Sequence, residues 1–100
     1  MALRKFGFIV TGPGFDPARH RQLMQSTGFE MVSVGVSSPA QALDVAQAMV
    51  RDGVQLIELC GGFGPQWTAR VQEAIAHKIP VGSVSYGAES IASLHELFAG

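Results

Sequence analysis

The segment Val54–Pro65, VQLIELCGGFGP, contains the side chains of this sequence that are best suited to chemistry. It begins as an apolar strand that includes Glu58 and Cys60, and it ends in a glycine-rich turn. Side chains alternate along a strand, so Glu58 and Cys60 share one face. A carboxyl group buried among apolar neighbours holds its proton more tightly and can act as a general acid or base. Glu58 is therefore a candidate catalytic residue. The alternative is a structural carboxyl, bonded to neighbouring strands or placed at a subunit contact.

Three other side chains are weaker catalytic candidates. Cys60 stands just before a helix start, where a thiolate is favoured, although a lone cysteine at a strand end commonly serves as a small hydrophobe. Tyr86 follows the last predicted strand and could orient a ligand, and His20 stands near the first glycine loop. The three histidines do not cluster and the sequence has no CxxC or HxxxH pair, so we expect no metal site.

Glycine-rich turns follow two of the predicted strands. Glycine lets a ligand approach backbone N–H groups closely, and a helix start beside such a turn favours an anion. The GGFGP segment lacks the GxGxxG spacing and no lysine follows it, so a tight strand-to-helix turn whose glycines need positive φ is the alternative. Functional loops lie at the carboxyl ends of parallel strands. We therefore expect ligand contacts from Gly12, Gly14, Gly61, Gly62, Phe63, Gly64 and Ser85.

These residues are positioned by a strand–helix unit that recurs about every 25 residues. Apolar runs predict four strands, at Phe6–Thr11, Phe29–Val36, Val54–Cys60 and Val81–Ser85. Helical spacing of apolar residues and prolines at helix starts predict four helices, at Pro17–Ser26, Pro39–Arg51, Pro65–His77 and Glu89–Ala99. Gly28 and Gly53 follow the first two helices, where left-handed caps are common.

The predicted fold class is α/β, a four-stranded parallel sheet built from four βα units with strands covered on both faces. Two strand orders remain open: a flavodoxin-like 2-1-3-4, and a half-barrel 1-2-3-4 that needs a partner to close it. A ferredoxin-like α+β sheet is a third alternative. In the flavodoxin-like order, the two glycine loops face each other across one crevice.

Length and composition limit the class of protein. One hundred residues predict a single α/β domain over residues 1–100. Hydrophobic residues make up 47% and charged residues only 15%, which favours a homo-oligomer that covers the excess apolar surface. A net charge of −1 without a basic cluster argues against nucleic-acid binding, and the apolar run Phe6–Val10 is too short for a membrane span. A single cysteine cannot form an internal disulfide, which suits a cytoplasmic protein.

Several segments resemble a known family. They are FGFIVTGPGFDPARHR, GVSSPAQA and the pair GVQLIELCGGFGP and IPVGSVSYGAESI. They are similar to a family of prokaryotic proteins of about this size, catalogued as a domain of unknown function. The likeness covers nearly the whole chain and is most specific at ELCGGFGP and YGAESI. It implies a complete protein but no particular reaction, cofactor or catalytic residue. A weaker likeness to half of a phosphate-binding (β/α) barrel concerns the fold alone.

These observations favour a protein that binds a small anionic or polar metabolite at the carboxyl edge of its sheet. A small enzyme of the isomerase or lyase type, with Glu58 as its acid or base, is the first alternative. A structural module whose apolar surface drives oligomerisation is the second. The residues do not identify a cofactor.

Overall fold

The computed structural model describes residues 2–99 as a five-stranded sheet with three α-helices. The strands are β1 (Lys5–Thr11), β2 (Arg21–Ser26), β3 (Phe29–Val36), β4 (Leu56–Leu59) and β5 (Val81–Ser83). The helices are α1 (Ala42–Arg51), α2 (Gly64–Ala74) and α3 (Ile91–Phe98). Short 3-10 turns at Pro39–Gln41 and Ala88–Ser90 lead into α1 and α3. None of the helices in residues 2–99 has the length and hydrophobicity that a membrane span needs.

The strands lie in the order β2-β3-β1-β4-β5. Strands β3, β1, β4 and β5 are parallel, and β2 pairs antiparallel with β3 at one edge. The four parallel strands correspond to the four predicted ones, and they have the flavodoxin-like order. The half-barrel was wrong, because β1 lies between β3 and β4. The ferredoxin-like arrangement was wrong, because it needs an antiparallel sheet and β3, β1, β4 and β5 are parallel. The purely four-stranded parallel sheet was also wrong, since the structure adds a fifth, antiparallel strand.

The predicted first helix, Pro17–Ser26, was wrong beyond its first turn. The N–H groups of Arg19 and His20 both donate to the Asp16 carbonyl, at 3.0 and 2.7 Å, and the chain then extends into β2. A helix here would bury only Leu23 and Met24. Extension instead pairs six backbone residues with the edge of β3, which would otherwise present unpaired N–H and carbonyl groups.

The two glycines predicted as helix caps both have a left-handed backbone, but in different contexts. Gly53, with φ of 89°, ends α1 as predicted. Its N–H donates to the Val50 carbonyl at 3.1 Å, and the Val54 N–H donates to the Met49 carbonyl at 3.0 Å, which is the Schellman pattern. Gly28, with φ of 83°, instead forms the tight turn between β2 and β3.

The core occupies one face of the sheet. Helices α1 and α2 pack there, and the fully buried residues include Ile9, Val34 and Leu59 of the sheet and Val71 of α2. Strand residues that alternate with these core residues point to the opposite face of the sheet. On that face Gly35, at the end of β3, is buried, and the other strand residues are half-buried or exposed. The prediction that the strands are covered on both faces was therefore wrong. The reason is that the link from β1 to β3 contains a strand where a helix was expected.

Candidate functional site

A cleft of about 790 Å³ opens at the carboxyl edge of the sheet, above the ends of β1 and β4. The chain leaves β1 toward β3 on one side and leaves β4 toward β5 on the other, so these neighbouring strands form the topological switch point. This is where open α/β sheets hold ligands. The residues that line it are Thr11, Gly12, Pro13, Ser37, Cys60, Gly61, Gly62, Tyr86, Leu94, Leu97 and Phe98.

Hydrogen bonds fix the floor of the cleft. The Thr11 N–H donates to the Cys60 sulfur at 3.4 Å, and the Cys60 N–H donates to the Ile9 carbonyl at 3.1 Å. On the other side of β1, the Gly12 N–H donates to the Val36 carbonyl at 2.9 Å. The ends of β3, β1 and β4 are therefore tied together, and the half-buried Cys60 has a defined position beside Thr11.

Close packing leaves little room for a side chain at Gly61 and Gly62 of the second loop. A Cβ on Gly61 would lie 3.2 Å from both the Tyr86 ring and the Val84 carbonyl oxygen. A Cβ on Gly62 would lie 3.0 Å from the Thr11 methyl group. The positive φ that the turn interpretation requires is found at Gly64 and not at Gly61 or Gly62, so close packing, not backbone conformation, restricts these two glycines, which line the cleft.

Several of the predicted contact residues lie elsewhere. Phe63 is only 3% exposed and belongs to the hydrophobic core, where it anchors the start of α2. Gly64 begins α2 with φ of 69°, and Gly14 has φ of 80° in the first loop. Neither of these glycines lines the cleft, and neither does Ser85. Of the seven predicted contacts, Gly12, Gly61 and Gly62 line it.

One wall of the cleft comes from α3 and was missed from the sequence. Leu94, Leu97 and Phe98 point into the cleft, and Leu97 and Phe98 remain 72% and 79% exposed. Their helical spacing indicates an apolar side of this helix, but it does not indicate what that side faces. Residues of α3 are not buried, so this apolar side faces the cleft and solvent.

The cleft is polar at its floor and apolar at its wall. Thr11, Ser37 and Tyr86 contribute hydroxyl groups and Cys60 contributes a thiol, whereas none of the lining residues has a charged side chain. Among residues 2–99, no three His, Cys, Asp or Glu side chains are grouped to hold a metal ion. The arrangement can bind a molecule by hydrogen bonds and apolar contact.

The four candidate catalytic residues separate into two groups. Cys60 and Tyr86 both line the cleft. Glu58 is exposed on the uncovered face of the sheet, so the expectation that it is buried was wrong. His20 lies beside β3, where its Nδ1 accepts a hydrogen bond from the Asp16 N–H at 2.8 Å and its ring contacts Phe15. Neither Glu58 nor His20 reaches the cleft, so the structure does not bring together the predicted acid–base set.

Comparison with protein families matches residues 4–99 to the family of unknown function DUF6506. The chain belongs to this family. The resemblance drawn from the sequence to a family of unknown function is thereby confirmed, and the match spans nearly all of the chain. Comparisons with curated proteins and with solved structures found no match.

Proposed function

We propose that the protein binds a small organic molecule, polar or anionic at one end and apolar along its body, in the cleft at the carboxyl edge. The observation that carries the proposal is the lining of the cleft, with hydroxyl groups and glycine backbone at the floor and an apolar wall from α3. Its volume of about 790 Å³ falls within the range of small-molecule sites.

The polar end of the ligand lies at the floor. The hydroxyls of Thr11 and Tyr86 flank the loop of Gly61 and Gly62, and Ser37 stands across the end of β3. Since no lining residue carries a positive charge, a carboxylate or phosphate would be held by hydroxyl and backbone N–H donors alone. Such donors bind an anion without an ion pair, as helix starts and glycine turns do.

The apolar body of the ligand lies against α3. Leu97 and Phe98 expose most of their side chains in the free protein. Covering apolar surface is worth about 25 cal/mol per Å² removed from water, so these two side chains are a source of binding energy. A ligand that is polar throughout would gain nothing from them, which favours an amphipathic molecule.

Thermal unfolding with a panel of compounds tests the proposal directly. The panel pairs simple anions, acetate and inorganic phosphate, with carboxylates and phosphate esters that carry aliphatic or aromatic groups. A ligand at 100 times its Kd raises the free energy of unfolding by about 2.7 kcal/mol, which gives a clear increase in the unfolding temperature. We expect shifts from amphipathic members and none from the simple anions. Absence of a shift across the panel contradicts the proposal.

A matched pair of variants locates the binding site. Phe98→Ala removes an exposed side chain that lines the cleft, so we expect weaker binding and an unchanged fold. Ile91→Ala removes a side chain of the same helix that is 64% exposed and does not line the cleft. For a ligand found in the panel, isothermal titration should show that Phe98→Ala loses about 1 kcal/mol or more of binding free energy relative to Ile91→Ala. Equal losses of affinity in both would place the ligand elsewhere.

A further inference from the structure

The face of the sheet opposite α1 and α2 is apolar and, except where Phe15 lies over Gly35 at the end of β3, uncovered, and we call it the open face. Its apolar members are Phe6, Phe8, Val10, Met24, Met31 and Leu56. They are half-buried or exposed, and Met24 is 67% exposed. A contiguous apolar patch of this kind marks an interaction surface in a soluble protein.

The chain topology explains why this face lacks a layer. Crossovers between parallel strands are right-handed, and those from β3 to β4 and from β4 to β5 run in one direction, which places α1 and α2 on the same side. The link from β1 to β3 runs in the opposite direction, so a helix in it would cover the open face. That link contains β2 instead, and β2 extends the sheet without covering it.

We propose that a second copy of this chain supplies the missing layer, with the two open faces packed together around a two-fold axis parallel to β1. Strands of 7, 6, 8, 4 and 3 residues, with a rise of about 3.3 Å per residue and a spacing of about 4.8 Å, present roughly 440 Å² of flat face. Two such faces together present roughly 900 Å², close to the ~1,000 Å² at the lower end of specific interfaces. Sheets packed in this way lie about 10 Å apart with nearly aligned strands.

The register of the strands determines which residues meet. One row across the open face consists of Gly82, Glu58, Phe8, Ser33 and Gln22. A two-fold axis above β1 and parallel to it brings Phe8 of the two copies together. It places β4 of one copy over β3 of the other, so Glu58 faces Ser33, and Gln22 lies one strand further along the same row. The side chains of Ser33 and Gln22 can both donate a hydrogen bond to a carboxylate.

Charge favours this axis over its alternative. Ser33 and Gln22 line a hollow of about 310 Å³ together with Arg19 and His20, so the carboxylate of Glu58 would enter a basic corner of the second copy. A two-fold axis perpendicular to the strands and passing through the same row would instead place Glu58 directly over Glu58. Two like charges in a closing interface are unfavourable, so of these two axes the parallel one satisfies the carboxylate.

Sedimentation velocity of the full chain tests whether the dimer exists. We expect a particle of twice 10.6 kDa at micromolar concentration. Phe8→Lys should give monomers, since two lysines would meet on the axis. The matched control is Glu73→Arg, an exposed charge change on α2 on the far side of the sheet, which should remain dimeric. A monomeric wild type, or a dimer that Phe8→Lys leaves intact, overturns the proposal.

A charge exchange tests the axis and does not depend on Phe8→Lys folding. Ser33→Glu places a second carboxylate against Glu58, and Glu58→Arg places a cation against Arg19 and His20. Each change alone should weaken dimerisation at least tenfold, and the double variant should restore it. Circular dichroism confirms that each variant is folded. Folded single variants that dimerise as the wild type does, or a folded double variant that stays monomeric, would overturn the parallel axis.

Discussion

Phe15 lies directly over Gly35, and the ring occupies the space where a side chain of β3 would stand. A Cβ on Gly35 would be 2.6 Å from Cγ of Phe15, and one on Gly12 would be 3.1 Å from the same ring. The ring thus holds the first glycine loop against the end of β3. On the other side of this loop, Gly12 lines the cleft. Absence of a side chain at Gly35 is what lets the loop fold down.

Replacing this glycine should displace the loop. We expect Gly35→Ala to lower the free energy of unfolding by about 1–3 kcal/mol, the usual cost of overpacking. Urea denaturation provides the measurement. Gly82→Ala is the matched control, because Gly82 is also a strand glycine and its added Cβ would meet no atom within 4 Å. Equal stability of the Gly35 and Gly82 variants would show that the ring moves aside without cost.

The end of α2 contains a backbone strain that a single substitution can relieve. Ala76 and His77 have φ of 55° and 56°, in the left-handed region that favours glycine. The Ala76 N–H donates to the Glu73 carbonyl at 3.0 Å and the His77 N–H donates to the Gln72 carbonyl at 2.9 Å, so Ala76 is at the position of a Schellman glycine. A left-handed residue with a Cβ costs about 1–2 kcal/mol.

We therefore expect Ala76→Gly to raise the free energy of unfolding by about 0.5–1 kcal/mol, the remainder being lost to the flexibility of glycine in the unfolded chain. The control is Ala69→Gly, an exposed position inside the same helix, which should lower it by about 1 kcal/mol. Thermal or urea unfolding should therefore show a gain in stability for Ala76→Gly and a loss for Ala69→Gly. Two losses of similar size would contradict the strain at Ala76.

Sequence patterns located the parallel part of the fold because its strands are continuous apolar runs between glycines and prolines. The 3–5 residues after each run also marked the carboxyl edge correctly, since Gly12, Gly61 and Tyr86 do meet there. The segment Arg21–Ser26 was different. Its residues are all exposed, so neither helical nor alternating periodicity is present, and pairing with β3 alone decides its conformation.

Two side chains show why the site could be only partly predicted. Glu58 lies in an apolar strand, and such a strand indicates burial only if both of its faces are covered. No layer covers the open face, so Glu58 is exposed. Phe98 belongs to an apolar helix side that looks like core, but α3 stands beyond the sheet edge and borders the cleft. Both errors have the same cause. The pattern within a single segment does not show which other elements cover the sheet.

The contact between Gly62 and Thr11 allows a test of the cleft floor by a double-mutant cycle. Gly62→Ala should cost about 1–2 kcal/mol, because its Cβ would stand 3.0 Å from Cγ2 of Thr11. Thr11→Ser removes that methyl group and keeps the hydroxyl and the N–H that donates to Cys60. The double variant should therefore recover most of the stability that Gly62→Ala loses, with a coupling of at least about 0.5 kcal/mol in urea unfolding. Strictly additive losses of stability would show that the added Cβ at Gly62 displaces another atom, such as the Cys60 sulfur, which would lie 3.6 Å from that Cβ.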